Sequence, residues 1–308
     1  MSLRLHILNR FLRWFEKPKL ARAKSPGDLR KPFERKARLF FRAPRHSRFR
    51  DDTLRMGDHV VSATWAIAEH AVEDRVILYF HGGGYVFGSP RSHRAMLARL
   101  SQMTGVATCL PQYRLAPENP FPAAVEDAIS AYRTLLDRGI AHDRIVIGGD
   151  SAGGGLALAL LGVIAERGMP SPAGVFTFSP LTDLTFSGAS FVDNERSEVM
   201  LPAERAEDMA HMYLQDADPN DPRASPLRAD FSELTPVFLT VSDSEILLDD
   251  TRKMTRHLRR HGVAVTEQIV HNHPHVWQIF QGFLPEADQG LRDVAAWIKP
   301  LLLHSDES

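Results

Sequence analysis

The spacing of apolar side chains changes period several times along the chain, and each change marks a new element. At the start, Leu8, Phe11, Leu12 and Phe15 fall on one helical face with Trp14 beside it, and a second helical piece after Pro32 carries Phe33, Ala37, Phe40 and Phe41. Pro18, Pro26 and Pro32 are expected to cut this opening segment into short pieces, because a proline ring lacks the amide donor and crowds the preceding turn. Beyond Asp58 the helical period is lost, and residues 59–68, rich in Val, Thr, Trp and Ile, read as a strand or hairpin arm. Strand and helix patterns then alternate: strand 75–80, a helix after Pro90 with Met96, Leu97 and Leu100, strand 106–110, helix 122–136, a strand around Ile145-Val146-Ile147, a small-residue helix from near Gly154, and strand 174–178. Such alternation predicts a mostly parallel sheet with helices on both faces.

The alternation stops at Pro180. Residues 182–227 are more polar, carry a helical piece near 202–213 and contain Pro219, Pro222 and Pro226. An excursion of this size between two strands predicts a lid. The sheet resumes at 237–241, followed by helix 247–260, strand 263–270 and a closing helix 286–303. No internal repeat or low-complexity stretch is visible.

Composition changes this picture little. With 308 residues, 44% of them hydrophobic, the chain can build one large α/β domain with an elaboration. A net charge of −1 gives no reason to expect nucleic acid as a partner. Charge is unevenly placed, however: the first fifty residues hold sixteen Lys or Arg against three Asp or Glu. A basic amphipathic helix can lie on an anionic membrane surface. The plainer expectation is that its apolar face packs on the protein and its arginines face water. Residues 3–15 are interrupted by Arg4, His6, Asn9, Arg10 and Arg13, unlike a signal peptide, and no apolar run is long enough to span a bilayer. The expected location is the cytoplasm, without stable membrane insertion. The single cysteine, Cys109, lies in an apolar strand and is expected to be buried and reduced.

The candidate chemistry centres on Gly149-Asp150-Ser151-Ala152-Gly153, between a β-branched strand and a helix. A turn this tight strains the serine backbone, favours glycine two positions to either side, and pushes the hydroxyl out at the helix N-terminus. Ser151 is therefore the candidate nucleophile. It needs a base, and a third group to orient that base. His275, directly after the last predicted strand, is the best candidate base, with His271 and His273 as rivals by spacing. The histidine cluster lacks a nearby Cys or acidic partner at ligand spacing, so no metal is expected. Glu245 and Asp243 fall in the loop after the preceding strand, whereas Asp249 and Asp250 read as first-turn helix residues. The backbone NH groups of Gly83 and Gly84 in His81-Gly82-Gly83-Gly84, with that of Ala152, could surround an oxyanion.

Taken together, His81-Gly82-Gly83-Gly84, Tyr113-Arg114-Leu115-Ala116-Pro117-Glu118, Gly149-Asp150-Ser151-Ala152-Gly153-Gly154 and His275-Val276-Trp277 resemble the hormone-sensitive lipase family of carboxylesterases over nearly the whole chain. The resemblance implies an α/β-hydrolase core in two parts, 56–181 and 228–308. It also implies a cap made from N-terminal helices (1–55) and the insertion 182–227. The implied activity is hydrolysis of short- to medium-chain acyl esters through an acyl-enzyme, without a cofactor. Many members have Asp-Pro-Leu where this chain has Glu245-Ile246-Leu247; aligned on Asp249, the acid becomes Glu245, with Asp243 in reserve. The implied partner is a small-molecule ester, and a homodimer is compatible with the pattern. Amide or lactone hydrolysis, or ligand binding without turnover, are the alternatives.

Overall fold

Residues 1–231 and 235–303 are described in a computed structural model of the chain. In chain order the elements are α1 (Leu3–Phe11), a π-type turn (Leu12–Glu16), α2 (Lys17–Arg22), α3 (Pro26–Phe40), β1 (Arg48–Met56), β2 (His59–Ile67), β3 (Val72–Phe80), α4 (Pro90–Thr104) and β4 (Val106–Pro111). They continue with α5 (Ala123–Asp137), β5 (Ile145–Asp150), α6 (Ala152–Glu166), β6 (Gly174–Phe178), α7 (Ser190–Asp193), α8 (Ala206–Leu214), β7 (Val237–Ser242), α9 (Leu248–Arg260), β8 (Val265–Val270) and α10 (Pro285–Leu303).

Among the described residues eight strands form one sheet in the order β1-β2-β4-β3-β5-β6-β7-β8. The pairs β1/β2 and β2/β4 are antiparallel, and all later pairings are parallel. Strand β3 shows how the two faces are built. Val76, Leu78 and Phe80 join a core with α5, α6 and α9, while Ile77 and Tyr79 join a second core with α4 and α10. Every residue of β5 and β6 is buried, as expected of parallel strands covered on both sides. This places the carboxyl ends of β5 to β8 at one edge of the sheet. Cys109 is buried in β4, and burial pushes its thiol pKa up.

Three expectations are corrected. The helical N-terminal segment does not run to residue 55, because Arg48–Met56 is a strand paired along its length with β2. Its charged start, Arg48-Phe49-Arg50-Asp51-Asp52, shows no apolar alternation, since an edge strand needs only its partner's backbone. Of the three prolines only Pro26 divides the opening helices, standing at the first position of α3 after the break at residues 23–25. Pro18 follows the π-type turn, which widens the backbone where an α-helical carbonyl would meet the ring, and Pro32 lies inside α3. Finally, the predicted apolar face of the first helix is split. Leu5, Leu8 and Leu12 pack inward against Val199, Trp277, Leu284 and Ala287, while Phe11, Trp14 and Phe15 remain exposed.

Candidate active site

Strand β5 ends at Asp150 and α6 begins at Ala152, so Ser151 alone makes the turn, at φ 52° and ψ −123°. Such a backbone costs about 1–3 kcal/mol in a residue with a Cβ and persists only where its surroundings hold it. Here the Ser151 NH donates to Phe178 O (2.8 Å), and its carbonyl accepts from Leu181 and Gly155 NH (3.0 Å each). The glycines are required sterically. A Cβ at Gly149 would collide with the Gly153 carbonyl, and one at Gly153 with the Phe80 carbonyl. Ser151 is half-buried, whereas both neighbours are buried.

The loop after β8 brings in His275, whose Nδ1 donates to Glu245 Oε2 at 2.6 Å. The other oxygen, Oε1, accepts from Ser179 Oγ and Ser242 NH, both at 2.8 Å. With Nδ1–H on a carboxylate, Nε2 keeps the lone pair. That nitrogen is buried and has no hydrogen-bond partner among the described residues. Burial alone would depress the His275 pKa, but the hydrogen bond and charge of Glu245, then the charges of Glu198 and Asp150, hold it above its ordinary value. Asp243 goes elsewhere: it accepts from His271 Nδ1 (2.7 Å) and Asn272 NH (2.8 Å). His273 bonds the His271 carbonyl and packs its ring edge-on to Trp277. The structure thus pairs Glu245 with His275 and separates Asp243, His271 and His273 from that pair.

The glycine loop lies beside the turn of Ser151. Gly83 has φ 121° and Gly84 φ 59°, and the Gly83 carbonyl accepts from Val86 and Phe87 NH (3.0 Å each). A Cβ at Gly83 would strike the Phe87 carbonyl, and one at Gly84 the Met209 sulfur of α8. Among the described residues the NH groups of Gly83, Gly84 and Ala152 have no acceptor, leaving three donors unclaimed. Arg30 of α3 braces this loop by donating to Val86 O (2.8 Å) and Ala116 O (2.8 Å) and pairing with Glu118. The Tyr113-to-Glu118 motif is therefore scaffold: Tyr113 Oη donates to His81 O (2.7 Å) and stacks on its ring. Burial, then the neighbouring His93, pushes the His81 pKa down to about 3, so its ring is neutral. Asp150 accepts from Tyr79 Oη (2.9 Å) and contacts His93 Nε2 (3.3 Å). Burial alone would raise its carboxyl pKa, but those partners hold it below the ordinary value.

Several residues around the site were not singled out in the sequence. Ser179 donates to Glu245 and accepts from Val276 NH (3.3 Å), tying the end of β6 to both the acid and histidine loops. From the insertion, Asn194 Nδ2 donates to the carbonyls of Asp243 (2.9 Å) and Glu245 (2.8 Å), and Ser190 Oγ to that of Ile246 (2.8 Å). Glu198 is 2% exposed and close enough to raise the His275 pKa. Serine and asparagine in a polar stretch carry no distinctive signal. A glutamate directly before Val199-Met200-Leu201 is the one anomaly a sequence reader could have noticed.

A family model described as the α/β-hydrolase fold matches residues 77–279. An acetyl-hydrolase of Streptomyces hygroscopicus is 39% identical over 227 residues, 74% of this chain and 76% of that one. An esterase from the bacterial hormone-sensitive lipase family superposes with a TM-score of 0.91 at 36% identity, over 98% of this chain and 99% of the other. An esterase soaked with p-nitrophenyl butyrate superposes with a TM-score of 0.90 at 35% identity, again over 98% and 99% of the two chains. With its fold and its motifs in these positions, the chain belongs to the hormone-sensitive lipase family of carboxylic ester hydrolases, built on the α/β-hydrolase fold.

Proposed function

We propose that the protein is a serine carboxylesterase acting on short- to medium-chain acyl esters through an acyl-enzyme. The observation that carries this reading is the buried His275–Glu245 pair at 2.6 Å, with Nε2 left as an unpartnered acceptor. The strained turn of Ser151 is pinned through Phe178, next to the Ser179 that holds the acid. His275 Nε2 takes the proton of Ser151 Oγ as the oxygen attacks the ester carbonyl, and Glu245 stabilises the imidazolium. The tetrahedral oxyanion is met by the NH groups of Gly83, Gly84 and Ala152, all of them unclaimed and fixed before substrate arrives. Collapse releases the alcohol with the proton from His275. Water, deprotonated by the same nitrogen, then cleaves the acyl-enzyme and restores Ser151.

The size preference rests on the cover over the glycine loop. Met209 and Tyr213 of α8 lie on it, with Tyr213 stacked face to face on Tyr85 at 3.8 Å. Bulky side chains this close favour a small acyl group, in keeping with the butyrate ester used on the similar esterase.

The test is hydrolysis of a p-nitrophenyl series, from acetate to long acyl chains, by the wild type and Ser151→Ala. Turnover should fall by ~10³-fold or more in the variant without a change in its unfolding transition. A folded Ser151→Ala protein that keeps most of the wild-type rate would refute the nucleophile. A maximum at long chains would refute the size preference.

A further inference from the structure

Helix α1 buries one apolar seam and leaves a second one open. Opposite Leu5, Leu8 and Leu12, the side chains of Leu3, Ile7, Phe11, Trp14 and Phe15 are 77%, 57%, 48%, 72% and 57% exposed. Leu3, Ile7 and Phe11 recur every four residues, with Trp14 and Phe15 three and four residues further on, so they share one side of the helical segment, and the rings of Phe11 and Phe15 stack at 5.4 Å. A contiguous apolar stripe of this kind marks an interaction surface.

Charge identifies what covers it. Lys31, Arg35, Arg38 and Arg42 recur at helical spacing along α3 and just past its end. All four are exposed, and like Arg10 on α1 they have no acidic partner among the described residues. The ion pair between Lys36 and Glu16 ties α3 to the end of the opening helix. The first fifty residues hold sixteen Lys or Arg against three Asp or Glu, whereas the rest of the chain holds twenty-one against thirty-five. A second copy docking here would set two strongly positive surfaces against each other. An anionic lipid surface offers both the opposite charge and an apolar layer.

We propose that the N-terminal helices form a docking surface for an anionic lipid bilayer. Helix α1 and the π-type turn after it lie in the interface with Leu3, Ile7, Phe11, Trp14 and Phe15 at the boundary of headgroups and acyl chains, and the basic residues meet lipid phosphates. Tryptophan suits that depth. Attachment is peripheral: no described helix is long and apolar enough to cross a membrane. The surface adjoins the candidate site. The inner side of α1 packs on Trp277, and Asn9 Nδ2 donates to Asn272 O (3.0 Å) in the same histidine loop. Docking therefore sets the bilayer about one helix diameter, ~10 Å, from that loop.

The experiment mixes the full chain with unilamellar vesicles of phosphatidylcholine, alone or with about one third phosphatidylglycerol, and follows co-sedimentation and tryptophan emission. Binding is expected only with phosphatidylglycerol, weakening with salt, with a blue shift that disappears in Trp14→Phe. Arg35→Glu with Arg38→Glu should lower partitioning by at least about tenfold. Ile7→Ser with Phe11→Ser and Trp14→Ser should bring it to background. Both variants should hydrolyse a soluble p-nitrophenyl ester like the wild type. Vesicle binding is read independently of ester hydrolysis, so it stands or falls apart from the proposed mechanism. Failure to bind phosphatidylglycerol vesicles at low salt overturns the proposal, as does binding that neither variant weakens. A concentration-dependent dimer dissolved by the triple serine variant also overturns it, assigning the face to a second copy.

Discussion

Glu198 is a buried carboxylate held by amides, with no cation on its side chain among the described residues. Its oxygens accept from Met200 NH (2.8 Å), Leu201 NH (3.2 Å) and Ile246 NH (3.4 Å). Burial first, and then the charge of Glu245, push its pKa up. Removing its negative charge should lower the His275 pKa, so the acid limb of kcat/KM for Glu198→Gln should move to lower pH. The plateau rate should change little, because glutamine still accepts from Met200 and Leu201 NH through its one carbonyl oxygen and loses only the long contact to Ile246 NH; a pH–rate profile decides. Asp250 makes a second residue-scale prediction. Burial drives its carboxyl pKa to about 7, above the ordinary 3.8, although the NH groups of Thr182 (2.7 Å) and Asp183 (3.0 Å) donate to it. The folded state therefore holds this proton more tightly than the unfolded state. Its contribution to stability is present below about pH 4 and is lost as pH rises through about 7. Asp250→Asn keeps the acceptor and removes the ionisation. Thermal melts at about pH 5 and about pH 8 should differ less for the variant than for the wild type.

At the scale of elements, the loop from β3 to α4 and the turn from β5 to α6 are positioned by backbone contacts that exclude side chains. Gly83 combines φ 121° with a Cβ position occupied by the Phe87 carbonyl. Gly83→Ala is expected to rotate the neighbouring NH groups and lower kcat by ~10²-fold or more, with a smaller change in KM. Steady-state kinetics on p-nitrophenyl butyrate would measure it, and an unchanged kcat would remove this loop from the oxyanion role. The insertion acts as an element as well. Ser190, Asn194 and Glu198 contact the acid loop's backbone, so this part of the 182–227 excursion braces the loop that carries Glu245.

At the scale of the molecule, the first helix is stapled to the start of α10. Ser2 NH and Oγ donate to Glu286 at 2.6 and 2.9 Å, and Leu5, Leu8 and Leu12 share a core with Trp277, Leu284 and Ala287. Leu8→Ala opens a cavity in that core and should cost about 2–3 kcal/mol in urea unfolding. Because the same core supports the histidine loop, the esterase rate should fall with it, while a change at exposed Leu3 should move neither.

Local chemistry determined much of this protein before any fold was known. Apolar period is a property of neighbouring residues, so the alternation of strands and helices after Arg75 was legible. So was the turn at Ser151, where Gly149 and Gly153 mark crowding within a few residues. What the tertiary structure decided involves partners far apart in the chain. Glu245 and Asp243 are two residues apart with similar chemistry; they differ because Ser179 and Ser242 hold one carboxylate toward His275 while Asn272 holds the other toward His271. Strand β1 escaped notice because an exposed edge takes its stability from the backbone of β2, which leaves no apolar pattern. The choice between the two apolar seams of α1 was likewise settled by Trp277 and Leu284, more than 260 residues downstream of the helix. Burial is a pairwise fact, and a periodic pattern names only one of the two partners.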